Sequence, residues 1–152
     1  MTRPTLYLSR LLPDPVMVMV RERFQLVKEP LDALPAPSAL REGLCQADAA
    51  IVTLGDRIDA ETIYAATRLK ILANYAVGYN NIDLAAARQR GLIVTNTPDV
   101  LTDATADLTW ALLLATARRV VEGDSLVRSG RWTGWSPTQL LGAEVSGKTL
   151  GI

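Results

Sequence analysis

The period of apolar and polar positions changes in a regular way along the chain. Thr5-Leu6-Tyr7-Leu8-Ser9 reads as a first strand. A turn at Pro13-Asp14-Pro15 leads into a helix from about Val16 to Arg23, and Phe24-Gln25-Leu26-Val27 forms a short second strand. Pro30, Pro35 and Pro37 exclude regular helix between Glu29 and Ser38, which must be a surface connection. Ser38 is placed to cap a helix reaching about Gln46. Ala49 to Leu54 is a strand with two apolar faces, as expected in a parallel sheet covered on both sides. Asp59 is expected to cap a helix to Arg68, and the strand Ile71 to Tyr75 follows. Asp83 caps a further helix, Leu84 to Arg90, which Gly91 ends before a fifth strand, Leu92 to Asn96.

Five strand–helix alternations with mostly short connections predict an α/β fold with a parallel, doubly wound, flavodoxin-like sheet. Leu8, Ser9 and Arg10 stand where a phosphoacceptor receiver domain needs paired acidic residues at the end of its first strand, which argues against a signalling module. After Pro98 the pattern changes. A helix from Thr102, with Thr102 and Asp103 as candidate caps, carries apolar side chains on every side through Leu108, Trp110, Leu112, Leu113, Leu114 and Ala117. Too short to span a bilayer and too apolar to lie on a surface, it needs partner surfaces. Val121 to Gly130 is amphipathic, Arg131 to Pro137 is an irregular aromatic segment, and Ser146 to Ile152 reads as a turn followed by the start of a new strand at Leu150.

The stretch Ile71 to Asp83 draws most attention. A strand passes into Val77-Gly78-Tyr79-Asn80-Asn81, where Gly78 and the two Asn residues tolerate positive φ, and then into the Asp83 cap. Small ligands bind at such turns at the carboxyl ends of parallel strands, where backbone N–H groups can meet an anion. Taken alone, the local chemistry favours an ordinary structural turn, since every α/β protein has several of them.

Composition narrows the function classes. Sixteen basic and sixteen acidic residues cancel, with no run of like charge, so neither nucleic acid nor an anionic membrane is expected as a partner. The N-terminus lacks the apolar core of a signal peptide, so a cytoplasmic location is expected. The single Cys45 reads as a small, buried apolar residue. The chain contains no histidine, so it holds no His general base, no Ser-His-Asp triad and no His-ligated metal. No catalytic residue and no metal ligand is assigned within it.

Four motifs occur in order: Asn74 to Asp83, Gly91 to Asp107 with the Leu-rich helix behind it, Gly130-Arg131-Trp132-Thr133-Gly134-Trp135-Ser136-Pro137, and Gly147-Lys148-Thr149-Leu150-Gly151-Ile152. Together they resemble the D-isomer-specific 2-hydroxyacid dehydrogenases, and the Trp-x-x-Trp-Ser-Pro segment resembles their glyoxylate/hydroxypyruvate reductase branch. The resemblance implies two α/β domains with the active site between them. Residues 1–97 would be the first segment of a substrate-binding domain, completed by a returning C-terminal segment. Residues 98–152 would begin an NAD(P)-binding Rossmann domain, incomplete here, with its first strand at Leu150 to Ile152. No Gly-x-Gly-x-x-Gly occurs, and the family's catalytic Arg, Glu and His would follow Ile152. The chain is therefore expected to be the N-terminal part of an NADP- or NAD-dependent 2-oxoacid reductase, inactive alone.

The same resemblance implies the site residues. Val77 and Gly78 match positions whose backbone N–H groups bind the substrate carboxylate, and Leu54 one lining the substrate pocket. Leu101 and Thr105 match positions facing the nicotinamide end of the cofactor. Trp135 is expected to reach a neighbouring subunit's substrate pocket in a homodimer. Bland readings stand beside these: core packing for Leu54, helix capping for Thr105, intrachain packing for Trp135, and plain turn or cap roles for Asn80, Asn81, Asp83 and Asp99. Two other functions stand beside this one: a non-catalytic dinucleotide-sensing or dimerisation module of the same fold, and a free-standing flavodoxin-like module with a helical tail, against which the all-apolar helix argues because it demands a partner surface.

Overall fold

The computed structural model describes residues 3–151. The strands are β1 (Thr5–Leu8), β2 (Gln25–Leu26), β3 (Ala49–Thr53), β4 (Ile71–Tyr75) and β5 (Ile93–Thr95), all parallel in the order β2-β1-β3-β4-β5. The helices are α1 (Asp14–Arg23), α2 (Pro37–Gln46), α3 (Ala60–Ala65), α4 (Leu84–Arg90), α5 (Thr102–Ala117) and α6 (Val120–Arg128). The chain divides into two compact units, one up to Val100 and one from Leu101. Among the described residues no helix is long and apolar enough to cross a membrane.

In the first unit the pleat sends alternate strand residues to opposite faces. Tyr7, Ala50, Val52 and Leu72 pack with Leu40 and Leu44 of α2, Ile63 of α3, and Ala86 and Ala87 of α4 into the larger apolar cluster. Leu6 and Leu8 join Met17 and Val20 of α1 in the smaller one. Strand β3 is covered on both faces, though unequally: Ala50 and Val52 are buried in the larger cluster, whereas Ala49 and Ile51 are half-buried against the smaller one. Tyr75 and Ile93 are exposed.

Several element ends differ from the sequence reading for local reasons. Helix α1 begins at Asp14, because Pro15 fits a first helical turn, whose N–H groups have no intrahelical partner. Pro37 likewise opens α2, so Ser38 lies inside the helix and does not cap it. Helix α3 stops at Ala65 instead of Arg68, although Asp59 caps it as expected by accepting from Thr62 N. Asp83 accepts from Ala86 N, and Gly91 ends α4 at φ 70°, a left-handed backbone that glycine adopts without penalty. Gly78, Asn80 and Asn81, by contrast, do not take the positive φ that the sequence reading allowed them.

In the second unit the N-cap position of α5 is Leu101, whose side chain cannot cap, so neither Thr102 nor Asp103 takes that role. Helices α5 and α6 pack on each other, and Ala143 N–H donates to the Ala117 carbonyl at 2.8 Å. No residue of α5 or α6 is buried; Leu108, Trp110, Leu112 and Leu114 are exposed. Residues 148–151 carry no strand, which corrects the expectation of a strand start at Leu150; Ile152 lies outside the described residues.

Candidate functional site

At the carboxyl end of the sheet, the turn after β3 and the turn after β4 lie side by side. The first is built on Asp56. Its buried carboxylate accepts through Oδ2 from Thr53 N at 2.7 Å, Thr53 Oγ1 at 3.0 Å and Ser9 Oγ at 2.5 Å. These bonds fold Leu54 and Gly55 outward, leaving Leu54 61% exposed. The other oxygen, Asp56 Oδ1, and the hydroxyl of nearby Tyr7 are buried without a hydrogen-bond partner. Burial, and then the neighbouring Asp56, push the Tyr7 hydroxyl above its ordinary pKa.

The second turn is held through its carbonyls. Thr97 N–H donates to Ala76 O at 2.9 Å, Asn96 Nδ2 to Val77 O at 2.9 Å, and Asn74 Nδ2 to Gly78 O at 2.8 Å. Asn74, 2% exposed, also pairs with Asn81, Nδ2 to Oδ1 at 3.2 Å. Asn81 Nδ2 reaches Thr53 O at 3.2 Å and Asp56 O at 3.0 Å, crossing to the first turn. Among the described residues nothing accepts from the Val77 or Gly78 N–H. Three consecutive carbonyls are therefore occupied, while the two donors expected to meet a carboxylate are free.

Of the sequence-based candidates, Leu54, Val77 and Gly78 come together. A Cβ built on Gly78 would meet only Leu54 Cδ1, at 4.0 Å, and Val77 is 41% exposed. The fold therefore does not demand glycine at 78. A groove of about 280 Å³ adjoins this turn, lined in part by Ile51, Ala73, Asn74, Thr95, Asn96 and Thr97.

The remaining candidates lie in the second unit. Leu101, 55% exposed, and Thr105 are one helical turn apart, with Thr105 N–H donating to Leu101 O at 2.9 Å. Trp132 donates from Nε1 to Gln139 Oε1 at 3.3 Å, whereas Trp135 is 82% exposed. Among the described residues no cluster of His, Cys, Asp and Glu could hold a metal ion.

The sequence reading missed Asn74, Asn96 and Asp56 and took Asn81 for a turn residue. One signal was present: Asn74 interrupts an apolar strand at an inward position, where a polar residue needs a built partner.

Residues 11–143 match the family model described as the D-isomer specific 2-hydroxyacid dehydrogenase, catalytic domain. The glyoxylate reductase of Thermococcus kodakarensis is 47% identical over 154 residues, covering 99% of this chain and 46% of the relative. A solved structure from Thermus thermophilus superposes with a TM-score of 0.84 at 45% identity, covering 91% of this chain and 45% of that one. An NADPH-dependent glyoxylate/hydroxypyruvate reductase from Sinorhizobium meliloti, solved with NADP and malonate, gives a TM-score of 0.77 at 29% identity, covering 97% and 45%. The chain thus spans about half the length of the curated relatives it matches.

Proposed function

As the chain belongs to the D-isomer-specific 2-hydroxyacid dehydrogenase family, we propose that it forms the carboxylate-binding part of an NAD(P)H-dependent 2-oxoacid reductase of the glyoxylate/hydroxypyruvate type. The observation that carries this reading is the pair of unclaimed N–H groups at Val77 and Gly78 on a turn whose Ala76, Val77 and Gly78 carbonyls are held. A substrate carboxylate accepts from these two donors, each hydrogen bond contributing roughly 1.5–3 kcal/mol because the acceptor is charged. Leu54 forms the adjoining wall, and the bare Cα of Gly78 lets the carboxylate approach the amides closely.

Anchoring the carboxylate fixes the position of the 2-oxo carbon, which is the contribution of these residues to rate. The chemistry supplied by a bound reduced nicotinamide is the hydride for that carbon. Leu101 and Thr105 would contact the ribose or ring edge of the dinucleotide, and its phosphates would be held by other residues. The proton for the oxo oxygen also comes from elsewhere, since the 152 residues contain no histidine; by themselves they are expected to bind but not to turn over.

The half-covered sheet face at Ile51, Tyr75 and Ile93 would be closed by a returning segment of the longer chain. Trp135 is assigned to the neighbouring subunit's substrate pocket in a homodimer, supported by its exposure.

Gly78→Val in the full-length protein tests the reading. KM for glyoxylate should rise about 10- to 100-fold, the equivalent of one such hydrogen bond, with KM for the nicotinamide cofactor unchanged. Equal effects on both would count against the site.

A further inference from the structure

A trans peptide unit is planar, with its C=O and N–H pointing in opposite directions. Holding the carbonyl of one residue therefore fixes the direction of the N–H of the next. Along the second turn, the Thr97 backbone holds Ala76 O and so sets the direction of the Val77 N–H. The Asn96 amide holds Val77 O and so sets the Gly78 N–H. The first constraint belongs to the backbone, and the second depends on one side chain.

Resting on the carboxylate site described above, we propose that Asn96 is a positioning residue: its side-chain amide aims the Gly78 N–H at the substrate carboxylate without touching the substrate. Asn96 suits the task because β5 ends at Thr95, so its backbone has left the ladder and its side chain is free to reach across to the neighbouring turn. It is half-buried, so its rotamers are restricted, yet it is absent from both apolar clusters, and its replacement leaves the core intact. Without it, the peptide unit between Val77 and Gly78 is anchored only through its neighbours. The Gly78 N–H then samples directions that miss the ligand, and glycine, with no Cβ, resists that rotation least.

The test uses the full-length protein and glyoxylate as substrate. Asn96→Ala should raise KM for glyoxylate by about tenfold, in line with one impaired charge-assisted hydrogen bond. KM for the cofactor and the thermal midpoint should stay unchanged. Asn96→Asp keeps the shape but sets a carboxylate against the Val77 carbonyl, so it should be worse than Asn96→Ala at neutral pH. Relative to the wild type it should recover on acidification, when the protonated acid can again donate to Val77 O. Glyoxylate and cofactor KM rising together, a loss of stability alone, or an Asn96→Asp defect independent of pH would each overturn the proposal. Gly78→Val, run alongside, separates the two ideas. If it raises the glyoxylate KM while Asn96→Ala does not, the carboxylate site stands and the role of Asn96 falls. If Gly78→Val has no effect, the site itself falls, and the proposal with it.

Discussion

Asn81 Nδ2 lies 3.0 Å from the Asp56 carbonyl oxygen, a side chain from the turn after β4 bonded to the backbone of the turn after β3. The same nitrogen lies 3.2 Å from Thr53 O, and the isolated bridge between Ile58 and Ile82 continues the link. Leu54 is carried by one of these turns and Gly78 by the other, so Asn81 sets the spacing between them. Asn81→Ala would leave these carbonyls and the buried Asn74 amide with fewer partners, at a cost of about 1–3 kcal/mol. For a unit of about 100 residues that is roughly 4–8 °C of melting temperature per kcal/mol. Thermal unfolding of the full-length protein measures it, and an unchanged midpoint would remove Asn81 from the account of the site's construction.

Gly43 illustrates a second kind of constraint. It sits in α2 with ordinary helical φ, yet a Cβ there would lie 2.7 Å from Tyr7 Cζ and closer still to Cε2 and Cδ2. The Tyr7 ring thus packs on the bare helix backbone. Gly43→Ala gains helix propensity but overpacks this contact, and should destabilise by about 1–3 kcal/mol net. Chemical denaturation checks it, and a stabilised variant would mean that α2 shifts away from the ring at little cost.

The start of β1 is tied to β3 by Asp48, which accepts from Thr5 N at 2.9 Å, Thr5 Oγ1 at 2.7 Å and Arg68 Nη2 at 3.2 Å. The Thr5 bonds first, and then Arg68, lower its pKa from the usual 3.8 to about 2. A depressed folded-state pKa contributes stability that is fully present above the unfolded value near 4 and is lost as pH falls toward about 2. The wild type should therefore lose stability across that window more steeply than Asp48→Asn. Urea unfolding at about pH 7, 4 and 2.5 compares the two, and parallel curves would refute the assignment.

The architecture was legible because its signals are local: the short apolar runs of β3 and β4, the Asp59 and Asp83 caps, and Gly91 at its left-handed position each depend on residues a few places apart. The prolines were read correctly as breakers but not as helix openers at Pro15 and Pro37, since both roles use the same residue and only the following helix distinguishes them. The Val77-Gly78 turn could be singled out, but not the way it is held, because Asn96 and Val77 are 19 positions apart and Asn81 and Thr53 are 28 apart. A hydrogen bond between side chain and backbone across that distance leaves no periodicity in the sequence. The all-apolar α5 announced its need for partners, and its exposed Leu108, Trp110 and Leu112 are the same fact seen in the structure.

The two tryptophans of the irregular segment should separate in function. Trp132 uses its indole N–H within the chain, on Gln139 Oε1, whereas Trp135 presents most of its surface to solvent at 82% exposure. Exposed tryptophan is enriched where a partner surface receives it, because burying such a ring contributes strongly to association. In the full-length protein Trp135→Ala should change the ratio of kcat/KM for glyoxylate to that for hydroxypyruvate if, as proposed, its ring forms a pocket wall that a small substrate does not reach. Hydroxypyruvate should gain relative to glyoxylate. One missing apolar group in a pocket is worth about 1–3 kcal/mol, or roughly 10- to 200-fold in discrimination at most. Trp132→Ala should leave that ratio alone. If both variants leave it unchanged, Trp135 packs elsewhere, and sedimentation of the same variant then tells whether it serves self-association without reaching the pocket.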